Sequence, residues 1–183
     1  MSLSRRSAVS GAFAFAFTVS GIESVLTPRE ARAQNADFKV LSAQEVRTLE
    51  SFGEVLLPGA AEDGIAHFVD HQLAAPPADC LLMLRYLDVP PPYVEFYRPG
   101  LAALNAVSQQ AHGKAFAQLD AQARQGLVGA MSTGVPAGWQ GPPAPLFFFV
   151  VRSDAVDVVY GTPDGFAKLG VPYMPHIMPT QKW

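Results

Sequence analysis

The chain has 183 residues and a formal net charge of −3, with 13 Lys and Arg against 16 Asp and Glu. The sequence is therefore mildly acidic. It has neither the basic patch that nucleic-acid binding requires nor the basic stripe that attracts anionic lipid. Cys80 is the single cysteine, so the sequence contains neither an internal disulfide nor a C-x-x-C metal, redox or haem motif. We therefore expect Cys80 either to be buried or to form a disulfide with another subunit.

The beginning of the chain has the order of an export signal. The adjacent pair Arg5 and Arg6 precedes an uncharged apolar run at residues 11–19, and Ala31 and Ala33 occupy the two positions that a signal peptidase reads. The paired arginines favour the twin-arginine route. A membrane anchor is the alternative, but the run is shorter than the roughly 20 apolar residues that span a bilayer.

These features predict a signal peptide at residues 1–33 and one domain at residues 34–183. The twin-arginine route carries proteins that are already folded. Such a chain either binds a cofactor in the cytoplasm or travels with a partner that binds one.

Helical spacing dominates the segments that follow, with Pro and Gly breaks between them. Ser42 and Glu45 have the spacing of a capping box, which predicts that the first helix starts there. Further helices are predicted at residues 64–74, 93–111 and 120–131.

Two stretches allow more than one interpretation. Pro99 and Gly100 interrupt the long helical pattern, which predicts either a kink or two helices. Residues 146–151, LFFFVV, fit a buried strand, or a helix if the apolar positions that follow are included. The fold class that we predict is mainly α: a single domain of short helices with an irregular C-terminal tail rich in Pro and aromatic residues.

The second predicted helix carries His67, Asp70 and His71 on the face opposite its apolar residues. Two histidines four residues apart on a helix can share a metal ion, with the carboxylate as a third ligand. The alternative is a polar face that is exposed to solvent.

The tail, residues 161–183, has little regular pattern. Its aromatic residues and methionines suit packing onto a partner, and the alternative is packing onto its own helices. The residues that we expect at a partner interface are Tyr173, Met174, Ile177, Met178 and Trp183.

No motif identifies an enzyme. The sequence contains no G-x-G-x-x-G after a strand, no P-loop and no G-x-S-x-G. The four histidines have no spacing that singles out an acid, a base or a nucleophile. We therefore assign no catalytic, cofactor-binding or metal-ligating residue to this chain. This chain combines an export signal for folded proteins with the absence of a cofactor motif. The combination favours the interpretation that the chain supplies the export signal to a partner.

Three blocks of the sequence resemble the gluconate 2-dehydrogenase subunit 3 family: residues 52–73, residues 97–127 and the segment from Leu146 to the C-terminus. The last block is the most specific, because its ending, YGTP-x-GF-x-x-LGVPYM from Tyr160, is similar to the ending of that family.

The resemblance implies a small, non-catalytic subunit of a periplasmic FAD-dependent dehydrogenase that oxidises a sugar or sugar acid. Its partners would be the large flavoprotein subunit, which it helps to mature and to export, and a multihaem cytochrome c subunit. No cofactor is expected in this chain, while FAD and haem c are expected in the partners. Contact with the inner membrane would be indirect, through the complex. The alternative is an independent periplasmic metal-binding protein or enzyme centred on His67, Asp70 and His71.

Overall fold

The computed structural model of the chain describes residues 14–172. The first of them form a β-hairpin, in which β1 (Phe15–Val19) pairs antiparallel with β2 (Ile22–Leu26). The two-residue turn between the strands has positive φ at both positions, the conformation that a tight hairpin needs. The hairpin leads into helix α1 (Pro28–Ala33).

Helix α1 begins at a capping box. The Thr27 hydroxyl accepts a hydrogen bond from the Glu30 amide, and the Glu30 carboxylate accepts one from the Thr27 amide. The leader predicted at residues 1–33 therefore has regular structure from residue 15 onward. Its removal after Ala33 stays a prediction.

The first two helices predicted beyond the leader are confirmed. Helix α2 (Ala43–Leu56) begins at the predicted capping box, in which Ser42 and Glu45 bond each other's backbone amides. Helix α3 (Ile65–Ala74) follows a short turn and packs against α2.

The middle of the chain contains one long helix and several short ones. Helix α4 (Met83–Tyr86) is a single turn, whereas α5 (Val94–His112) continues as one helix through Pro99. A short 3-10 helix (Phe116–Gln118) then leads to α6 (Ala121–Thr133). The helices predicted at residues 93–111 and 120–131 are thus confirmed, and the long pattern forms one helix rather than two.

The apolar stretch at residues 146–151 is helical and lies within α7 (Ala144–Tyr160). Helix α8 (Pro163–Lys168) follows, and Thr162 caps it by accepting a hydrogen bond from the Gly165 amide. The expectation of an irregular tail is therefore wrong for α8, because Thr162 and the proline after it are a local helix-start signal. Residues 173–183 lie outside the described part of the chain.

The described residues contain eight α-helices and a single two-stranded hairpin. This confirms the predicted fold class, a mainly α body of short helices. No helix within residues 14–172 is long and apolar enough to cross a bilayer.

The centre of the core is an aromatic cluster around Phe147 of α7. Its ring stacks on Phe52 with centroids 5.6 Å apart, and Phe96 lies 5.8 Å away. Trp139 lies 5.9 Å from the same ring and donates its indole N–H to the Pro142 carbonyl. Trp139 thus holds the Gly/Pro-rich loop before α7 against the core of its own chain.

Gly100 and Gly126 provide a matched test of this packing. A Cβ atom at Gly100 in α5 would overlap the ring of Phe147, whereas one at Gly126 in α6 would meet no atom of residues 14–172 within 4 Å. We expect Gly100→Ala to lower the free energy of unfolding by about 1–3 kcal/mol through overpacking. Gly126→Ala should raise it by about 0.5–1 kcal/mol, because alanine favours the helix. Urea denaturation measures both, and equal effects of the two substitutions would contradict the core described above.

Candidate functional site

Asp70 of α3 belongs to the polar cluster of His67, Asp70 and His71 that the sequence pointed to. Its carboxylate accepts three backbone N–H bonds, from Lys39 at 2.8 Å, Val40 at 2.9 Å and Leu41 at 2.8 Å. Hydrogen bonds to a charged acceptor are among the stronger ones in proteins. Because these amides lie directly before the cap of α2, Asp70 holds the chain that enters α2 against α3.

His67 lies one turn before Asp70 and is 4 % exposed. Its Nε2 is 3.2 Å from the Ala36 carbonyl oxygen, and its ring lies 4.3 Å from the Phe38 ring. Burial lowers the pKa of His67 below its ordinary value. The neutral imidazole therefore donates from Nε2 to the carbonyl, and Nδ1 has no hydrogen-bond partner among the described residues.

His71 is packed between side chains of the hairpin. Its ring centroid is 4.8 Å from that of Phe15 and 5.4 Å from that of Phe17. Burial, with a smaller contribution from the charge of Lys39, lowers the pKa of His71. A neutral imidazole is compatible with this aromatic environment.

The face that carries these residues is therefore not the solvated polar face that we considered. Residues 14–41 cover it, so that His67 and Asp70 are buried. Both carboxylate oxygens of Asp70 already accept amide hydrogen bonds. Within residues 14–172 no group of three or more His, Cys, Asp and Glu side chains is arranged to hold a metal ion. The metal-centred alternative thus has no support in the geometry, and the cluster holds the fold together.

We use the name N-terminal arm for residues 14–33, which comprise β1, β2 and α1. The arm contacts α3 through the rings of Phe15 and Phe17 and through α1. Ala31 of α1 has 0 % exposure and packs in a small cluster with Phe17 and Ala36. Arg32 of the arm lies 3.1 Å from the Glu50 carboxylate on α2. Ala33 is exposed, and Arg5 and Arg6 lie outside the described residues.

A second buried polar pair joins α5 to α7. The Tyr97 hydroxyl donates a 2.6 Å hydrogen bond to Oδ2 of Asp154, and both side chains have 0 % exposure. Burial raises the pKa of Asp154 to about 8 despite this hydrogen bond. Oδ1 has no hydrogen-bond partner among the described residues, which favours a neutral carboxyl over an unpaired buried charge. Burial also raises the pKa of Asp157, to about 6.

Sequence analysis did not single out this pair. The available signal was the position of Asp154, which interrupts the buried apolar side of α7 between Val151 and Ala155. The tyrosine that it bonds is 57 residues away in sequence, and no local pattern connects the two.

Cys80 is in the core and is completely buried. Burial raises the pKa of its thiol, which disfavours the reactive thiolate. A disulfide from Cys80 to another subunit stays a prediction, and it would require the segment before α4 to open.

Among the exposed apolar residues of the described surface, those on α7 and those just before the end of the described chain could contact a partner. On the outer side of α7, Phe149 and Val156 are 46 % and 40 % exposed and line a shallow groove with Arg152. Leu169 and Val171, directly before the tail's last eleven residues, are also exposed. The predicted interface residues themselves, Tyr173, Met174, Ile177, Met178 and Trp183, lie outside the described part of the chain.

The geometry thus describes a helical body whose buried polar clusters have structural partners. Residues 43–179 match the family Gluconate 2-dehydrogenase subunit 3. The chain belongs to this family. Because the match spans all of the helices from α2 onward, it confirms the resemblance seen in the three sequence blocks. The family name makes the chain a subunit of a multi-subunit dehydrogenase. Neither the curated proteins nor the solved structures provide a match.

Asp154 gives this subunit a pH-dependent contribution to stability that can be measured. Because its pKa is raised to about 8 in the folded state, the contribution is complete below the unfolded pKa near 4 and is lost as pH rises to about 8. Asp154→Asn removes this dependence. We therefore expect the melting temperature of the variant, relative to the native chain, to rise by several degrees between pH 4 and pH 8.

Thermal unfolding followed by circular dichroism across this pH range measures the difference. Asp79→Asn, at an exposed position, is the matched control for replacing a carboxylate by an amide. If the difference in melting temperature between Asp154→Asn and the native chain does not change with pH, Asp154 is charged in the folded state.

Proposed function

We propose that this chain is the non-catalytic small subunit of a periplasmic, membrane-associated, FAD-dependent dehydrogenase that oxidises a sugar or sugar acid. The match of residues 43–179 to Gluconate 2-dehydrogenase subunit 3 carries the proposal. The buried contacts of Asp70 and Asp154 support a structural role, because the first is bonded to three amides and the second to a tyrosine. In this proposal FAD belongs to the large subunit and haem c to a multihaem cytochrome subunit.

The role that we propose for the chain within the complex is to support the maturation and stability of the flavoprotein and to carry it through the twin-arginine route. The support is the Arg5 and Arg6 pair before an apolar run, on a chain without a cofactor motif of its own. The complex would then be held at the periplasmic side of the inner membrane through its cytochrome subunit.

The first prediction from this role concerns the paired arginines. We expect Arg5→Lys combined with Arg6→Lys to leave both this chain and the flavoprotein in the cytoplasm, because the translocase would no longer recognise the signal that they share. Cell fractionation followed by immunoblotting and flavin fluorescence measures both subunits.

The matched control replaces two arginines of the folded body, Arg47→Lys with Arg152→Lys, both at exposed positions. This control should be exported normally. If the flavoprotein of the Arg5→Lys, Arg6→Lys strain still reaches the periplasm, the chain does not carry it.

We further propose that the last residues of the tail form much of the contact with the large subunit. Support comes from their composition, which is aromatic and rich in methionine, and from the exposed Leu169 and Val171 directly before them. Large apolar and aromatic side chains often dominate the binding energy of an interface. The competing account places the contact elsewhere on the body, for example on the outer groove of α7.

Truncation after Pro172 separates these accounts. We expect the truncated subunit to keep its helical circular dichroism signal but to lose most of its co-purification with the flavoprotein, because the anchoring side chains are gone. The matched control keeps the length and replaces only the polar residues Gln181 and Lys182 by serine. A folded, truncated subunit that co-purifies at full yield would show that the tail is not the interface.

A further inference from the structure

The N-terminal arm lies where the sequence predicts a leader that is removed. The two alanines that a signal peptidase would read, Ala31 and Ala33, are both in helix α1. Ala31 has its side chain fully buried, while Ala33 is exposed. Proteolysis is favoured at exposed, loosely held segments, and a buried position within a capped helix is the opposite case.

The contacts between the arm and the body are specific. Arg29 lies 2.8 Å from the Glu62 carboxylate and 3.5 Å from that of Asp63. The backbone continues the contact, since the Asp37 amide donates a 2.8 Å hydrogen bond to the Thr18 carbonyl in β1. Ion pairs of this kind at the surface are individually weak, but they add to the contacts that Phe15 and Phe17 make with the side chains of α3.

At Gly64, just before α3, the backbone of the body lies very close to the backbone of the arm. Its φ of +87° favours glycine, and a Cβ atom there would overlap the carbonyl of Pro28 at the start of α1. The close approach of these two backbones therefore depends on the absence of a side chain at Gly64.

Cutting after Ala33 would uncover the face of α3 that the arm protects. His71 would lose both of its aromatic neighbours, Phe15 and Phe17, and the Phe68 ring would lose its contact with Phe15 at 6.1 Å. Asp63, which is almost fully buried, would lose the Arg29 guanidinium. The body that remains would thus expose apolar surface and a carboxylate without one of its cations.

We propose that residues 14–33 stay in the exported protein as a structural part of the subunit and that the chain is not cut after Ala33. Export itself rests on the function proposed above, whereas the packing of the arm does not. Any processing of the leader then occurs before β1, and the apolar residues of β1 serve first in the signal and afterwards in the fold.

The first experiment measures the intact mass of the subunit purified in its complex from the periplasm. A mass that includes residues 14–33 supports the proposal, and a mass that begins at Gln34 overturns it. If the chain is not exported, only the proposal of export is wrong. The pair of variants described next then tests whether residues 14–33 are part of the fold.

The two alanines provide this matched pair, because glutamine at either position removes the small residue that the peptidase reads. If the arm is part of the fold, Ala31→Gln inserts a polar side chain into a filled contact and should lower the melting temperature of the purified full-length chain by about 5 °C or more. Ala33→Gln, at the exposed position of the same helix, should leave it within about 1 °C. If Ala31→Gln fails to fold while Ala33→Gln folds normally, this result also supports the arm as part of the fold.

Equal melting temperatures of the two variants would show that the arm does not pack on the body, and the proposal would be wrong. A leader that is normally removed would give a different pattern, in which both variants are heavier than the native subunit from the periplasm. Amide hydrogen exchange of the native chain provides a readout without substitution. The proposal expects slow exchange at the Asp37 amide, which bonds β1, and rapid exchange there contradicts it.

Discussion

The structure depends on the packing around the Phe147 ring. Phe52 of α2, Phe96 of α5 and Trp139 of the loop before α7 all lie within 6 Å of its centroid. Offset and edge contacts between aromatic rings contribute beyond the area that they bury. Gly100 leaves the space that the ring occupies, so α5 and α7 can approach closely. With a single cysteine the chain has no internal disulfide, so its stability relies on such a core.

Buried polar groups determine which segments lie against this core. Asp70 fixes the backbone of residues 39–41 by accepting hydrogen bonds from three amides. His67 donates a hydrogen bond to the Ala36 carbonyl. These bonds set the path by which the chain passes from the N-terminal arm to α2. Since an unpaired buried carboxylate is costly, a shifted path would leave Asp70 without partners, and the cluster thereby specifies one arrangement of the arm.

Membership in the gluconate 2-dehydrogenase subunit 3 family gives these structural features a functional setting. A subunit that supports another protein needs a stable body and accessible binding surface more than a reactive centre. The burial of His67, Asp70 and Cys80 fits that requirement. Exposed apolar residues on the outer side of α7 and at the start of the tail provide accessible surface of this kind.

The sequence by itself determined the features that depend on neighbouring residues. The capping signal of Ser42 with Glu45 located a helix start, because this cap bonds an amide only three residues away. Family membership was also visible in local motifs. Only the tertiary structure decided whether residues 146–151 were strand or helix, because a continuous apolar run has no periodicity to distinguish them. It also decided the role of Asp70 and the partner of Asp154. Their bonds reach about 30 and 57 residues along the chain, and such distant contacts exist only once the helices have packed.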